Sequence, residues 1–72
     1  MAMTTPLSGD TDVDFVRSMI PHHQAAVTMA QIELKFGKDR ELRAMATDIV
    51  RTQQGEIDRM KAWLNKQAKG NR

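Results

Sequence analysis

Seventy-two residues without a cysteine allow one small domain and exclude both disulfides and thiolate zinc sites. A core of this size needs support from a partner chain, a metal ion or further sequence. Eleven Lys and Arg against nine Asp and Glu leave a formal charge of +2, too little to argue for a nucleic-acid partner.

Residues 1–9, Met-Ala-Met-Thr-Thr-Pro-Leu-Ser-Gly, carry little helical pattern and are read as a flexible segment, the trimmed edge of a longer precursor. No charged start followed by an apolar core reads as a signal peptide, and no apolar run is long enough for a membrane span. Asp10, Thr11, Asp12 and Asp14 then supply the acceptors and negative charge that a helix N-terminus favours. The first helix is expected to start near Thr11. At 100° per residue Phe15, Met19, His22, Ala26, Met29, Ala30 and Glu33 fall on one stripe, with Val16 and His23 on its shoulder. Pro21 falls towards the outer side, where its missing N–H should kink the helix or restart it.

Gly37 and Lys38-Asp39 provide a stop and a turn, and Asp39 can cap a second helix from about Arg40 to Asn65. Its stripe is Leu42, Met45, Ala46, Ile49, Gln53, Glu56, Ile57, Met60, Trp63 and Leu64. The hairpin domain is drawn at residues 10–66, with a flexible basic tail over 67–72. A short connection makes the helices antiparallel, so residues equidistant from Lys38 lie level. His22 and His23 then come beside Gln53 and Glu56, with Met19 and Met60 within about a turn. Met29 and Met45 are expected as adaptable core, Glu33 as an ion-pair partner of Arg43, and Trp63 as packing at the open end. A lone hairpin leaves part of each stripe wet. The expected fold class is therefore all-α, an antiparallel two-helix hairpin pairing as a homodimer into a four-helix bundle.

The chemistry concentrates in Met19-Ile-Pro-His-His-Gln24, which holds both histidines of the chain three and four residues after a methionine. Thioether with imidazole is a soft donor set, suited to copper and above all Cu(I), with Cu(II) served by the imidazoles. The candidate ligands are Met19, His22, His23 and Met60, with Glu56 orienting an imidazole or adding an oxygen. Binding requires neutral imidazole, so protons compete with the metal. A second reading makes the histidines, Gln53 and Glu56 a hydrogen-bonded layer that sets pairing in a metal-free interaction module. An oxidative di-iron bundle needs Glu-x-x-His, whereas Glu56 is followed three residues on by Arg59. A haem bundle could use Met and His axially, but no Cys-x-x-Cys-His attachment site exists. The chain is read as a binding protein, not an enzyme.

The run from Gly9 to Gln24, with Ala26, Met29-Ala30 and Glu56-Ile-Asp-Arg-Met60-Lys-Ala-Trp-Leu64, resembles the CopM-like bacterial family, the domain-of-unknown-function family numbered 305. The resemblance spans Ser8 to Leu64. It implies a ferritin-like helical bundle, exported to the periplasm or cell exterior and associated in some members with copper binding and resistance; the residues themselves leave a cytoplasmic location open. By position the family pattern falls on Met19, His22, His23, Gln24, Met29 and Met60. Larger members carry a second His-His unit, which this chain lacks, and that favours assembly from two chains. The expected partners are a second copy, copper, and another copper protein of the cell envelope.

Overall fold

The computed structural model describes residues 8–68. Two helices, α1 (Thr11–Phe36) and α2 (Arg40–Ala68), lie side by side as a hairpin. Each boundary has a local cause. Asp10, with extended backbone, accepts from the Val13 N–H at 3.2 Å and caps α1. Ahead of it Gly9 takes φ +94°, a left-handed conformation that L side chains resist. That turn brings the Ser8 N–H to both carboxylate oxygens of Asp14, at 2.9 and 3.1 Å.

α1 ends where the Gly37 N–H donates to the Glu33 carbonyl at 2.7 Å. A Cβ on Gly37 would stand 2.6 Å from that carbonyl oxygen and run into the Glu33 side chain folded over it, so this position requires glycine. Two residues on, the Asp39 carboxylate accepts from the Leu42 N–H at 2.9 Å and caps α2. The connection is thus Gly37, Lys38 and Asp39, as the turn chemistry implies. Arg43 locks it by donating from Nη1 to the carbonyls of Leu34 at 2.7 Å and Gly37 at 3.2 Å. This replaces the ion pair expected between Glu33 and Arg43, because carbonyls at a helix C-terminus lack intrahelical donors and a guanidinium can serve two at once.

Pro21 neither ends nor restarts α1, which is helical on both sides of it. Its ring is exposed, and so is Arg17, whose carbonyl is the one deprived of a donor; water can supply the missing bond. α2 continues to Ala68, three residues past the expected end at Asn65. The proposed flexible segments therefore overlap described structure at Ser8, Gly9, Gln67 and Ala68, while residues 1–7 and 69–72 lie outside the described residues.

The core is one narrow seam of Val16, Val27, Ala30, Ala46 and Ile57, and Ile57 is only 1% exposed. This corrects the expected stripes. Phe15, Met29, Leu42 and Met45 are exposed, whereas Val16, placed on the shoulder, is buried. Small and β-branched residues let the two helices approach closely, and the bulky residues are turned to the flank of that contact. Ile32 and Phe36 join them, the latter 69% exposed. Together these side chains give the hairpin an open apolar face in addition to its seam.

Two stability outcomes follow. Ile57→Ala should cost about 2–5 kcal/mol in chemical denaturation, since the seam has no second layer behind it to refill the cavity. Gly55→Ala should stabilise by about 0.5–1 kcal/mol, because Gly55 is exposed within α2 and an added Cβ meets nothing within 4 Å.

The N-terminal hook carries a pH signature. The Ser8 backbone N–H, helped by the Ser8 hydroxyl, holds the Asp14 carboxyl below its ordinary value of 3.8. The unfolded chain binds this proton more readily, so the hook's contribution is complete above that value and lost as pH falls through the lowered one. The amide proton chemical shift of Ser8 should move in that acid window and not on the alkaline side of neutrality. Asp14→Asn should remove the transition.

Candidate metal centre

At the end of the hairpin away from the turn, α1 and α2 enclose an open groove of about 560 Å³. Phe15, Val16, Met19 and His23 line it from α1; Glu56, Met60 and Trp63 line it from α2, with Asp12 and Arg59 at its exposed margin. The helical repeat explains the set. Phe15, Met19 and His23 recur every four residues, as do Glu56 and Met60, so each group forms one row down its helix.

At the floor of the groove His23 is held from both ring nitrogens. Nδ1 lies 3.0 Å from the Met19 carbonyl oxygen and Nε2 lies 2.5 Å from Oε1 of Glu56. A carbonyl can only accept, so Nδ1 carries hydrogen and donates to it. Nε2 and the carboxylate then face each other across a single proton. The imidazole is 18% exposed and Glu56 is 45% exposed, so the ring is fixed while the carboxylate has room to swing towards solvent. Remove the proton, and an imidazole lone pair and a carboxylate point at one place. A backbone carbonyl fixing the other ring nitrogen is an arrangement that commonly orients metal-binding histidines.

Of the residues singled out from sequence, Met19, His23, Glu56 and Met60 are brought to the same groove. His22 is not part of its lining; it is half-buried one helical step round from His23. Gln53 is half-buried in α2 and forms no part of the lining either. Among the described residues, no three His, Cys, Asp or Glu side chains gather as a metal cluster. Beyond His23 and Glu56, the side-chain donors that line the groove nearest to them are the sulfurs of Met19 and Met60. Sequence reasoning did not assign the groove walls Phe15, Val16 and Trp63 to this site, although the four-residue spacing of Phe15 and Met19 was a usable signal.

The family model described as a domain of unknown function, DUF305, matches residues 12–72. The chain belongs to the DUF305 family. The DUF305 match takes in α2 and all of α1 except Thr11, so the groove and the His23–Glu56 pair lie within it. The chain is also similar to "Uncharacterized protein L153" of Acanthamoeba polyphaga mimivirus, with 36% identity over 61 residues. That match covers 85% of this chain and 40% of the viral protein. No solved structure matches the chain. No helix among the described residues is long and apolar enough to cross a membrane.

Proposed function

We propose that this protein binds copper in the groove, for sequestration, transfer or resistance in the bacterial cell envelope. The observation that carries the reading is the donor set: two thioethers, Met19 and Met60, line the same groove as a carbonyl-oriented imidazole, His23, and a movable carboxylate, Glu56. Sulfur and imidazole favour Cu(I) over oxygen-seeking ions, and Cu(II) can use the imidazole and carboxylate. Phe15 and Trp63 wall the groove with apolar surface, which disfavours a hydrated hard cation. Copper would be held, not used for turnover. An envelope location accords with a soft-metal site built without cysteine, the residue an oxidising compartment would consume, and another envelope copper protein is the natural donor or acceptor.

Met19→Leu keeps volume and hydrophobicity while deleting the sulfur. In competition with a chelator it should weaken Cu(I) by about tenfold or more, with unchanged helical content and little change for Cu(II). His23→Ala should weaken both oxidation states. Unchanged Cu(I) affinity in both variants would leave the His23–Glu56 pair as a structural layer of a metal-free interaction module.

The same reading includes assembly into a ferritin-like four-helix bundle from two hairpins. The hairpin is one layer, 14 Å through its thinnest Cα extent, and stable domains pack two. Its broad face extends 47 by 25 Å in Cα positions, wide enough to accommodate the ~800 Å² per partner of a standard interface. Phe15, Met29 and Phe36 on α1 and Leu42, Met45 and Trp63 on α2 share one side of the hairpin, so a second copy meets like with like. Sedimentation equilibrium of metal-free protein should give a dimer at micromolar concentration. A well-folded monomer there would refute the assembly.

A further inference from the structure

Trp63 is the single tryptophan of the chain, and α2 sets it half-buried in the wall of the groove. The contact of His23 with Glu56 fixes its level. Four residues towards the open end from each of that pair stand Met19 and Met60, and a further turn brings Phe15 on α1 and Trp63 on α2. At 1.5 Å per residue the groove is therefore three successive layers about 5–6 Å apart: imidazole with carboxylate, then two thioethers, then two aromatic rings. The sulfurs occupy the middle layer.

An ion held by Met19, Met60 and His23 would have the imidazole on the side of the hairpin turn and the aromatic layer on the side of the open end. The two rings of that layer are unequal. Phe15 is 61% exposed, whereas Trp63 is half-buried and carries the aromatic system that attracts cations most strongly. Its ring is also unclaimed. Among the described residues Lys35 stacks over Phe36, but Trp63 takes part in no hydrogen bond or ring contact, and Arg59, one turn before it on α2, does not lie over it.

We propose that the indole of Trp63 closes the copper site from the open end, contacting Cu(I) through its π face and setting a preference for Cu(I) over Cu(II). A π face offers electron density without a lone pair. It suits a soft monovalent ion already served by two sulfurs and one nitrogen, whereas Cu(II) seeks a tetragonal set of nitrogen and oxygen donors and is left short where an indole stands in place of water. This inference rests on the copper reading of the groove and adds to it a residue that selects the oxidation state.

Anaerobic titration of the wild-type protein with Cu(I) reads the contact directly, because every indole signal comes from one residue. Trp63 fluorescence should be quenched stoichiometrically and its near-UV absorption should change at the same equivalence point. In competition with chelators, Trp63→Leu, which keeps an apolar side chain but no π face, should weaken Cu(I) by about three- to tenfold and leave Cu(II) unchanged. Trp63→Phe should fall between the two. Near-UV absorption indifferent to saturating Cu(I) would overturn the contact, and this measurement needs no substitution, so it decides even if Trp63→Leu loses its helices. Cu(I) affinity of a helical Trp63→Leu equal to wild type, or equal weakening of Cu(I) and Cu(II), would overturn it as well. Failure of the copper reading itself appears separately, as Cu(I) affinity indifferent to Met19→Leu and His23→Ala, and would remove the role of Trp63 with it.

Discussion

Two helices in contact share only one seam, and its width governs everything else in this molecule. The seam admits Val16, Val27, Ala30, Ala46 and Ile57, residues small or branched enough for close helix approach. Each helix nevertheless carries an apolar arc wider than that contact. Because the helices run antiparallel, the surplus arcs of α1 and α2 turn to the same side of the hairpin and merge. The groove at the open end and the exposed run from Phe15 to Phe36 are two parts of that one surplus.

What could be read from the sequence follows the range of the forces involved. Helix ends are decided within four residues, by Asp10 accepting from Val13, Gly37 closing on Glu33 and Asp39 accepting from Leu42, and such chemistry is visible in the residue order. The level meeting of His23 with Glu56 was legible as well, since a three-residue connection leaves little freedom of register. The rotational phase of the helices was not. Hydrophobic periodicity adds together every surface that a helix buries or could bury, so the seam and the open face appeared as one averaged stripe, displaced from the true contact. Arg43 shows a second blind spot. Its partners are backbone carbonyls, which no side-chain pattern records.

The averaging also merged the two histidines. Adjacent residues on a helix stand 100° apart, enough to send His23 to the groove floor and His22 to the open face. Sequence proximity suggested a common site; helical geometry gives the pair two addresses. His23 is secured by the Met19 carbonyl on one ring nitrogen and Glu56 on the other, so its orientation is settled inside one chain. His22 has no such fixture. A polar group left this way on an apolar face is a cost to any partner that buries it without an answer, and a source of specificity for one that supplies it.

Groove and face are physically joined, since Phe15 belongs to both: it lines the groove and is 61% exposed on the face. A partner seated on the face would therefore close part of the groove mouth and strip water from the neighbourhood of Met19, His23 and Glu56. Less water means a lower local dielectric and stronger attraction between the Glu56 carboxylate and a bound cation, while the cost of dehydrating the empty site is met by the assembly contact. A cation bound more tightly by the assembled state must, by linkage, strengthen assembly by the same factor. With soft donors at the border of an unfilled apolar face, metal binding and association, where both occur, would be coupled through Phe15 and its neighbours without any rearrangement of the helices.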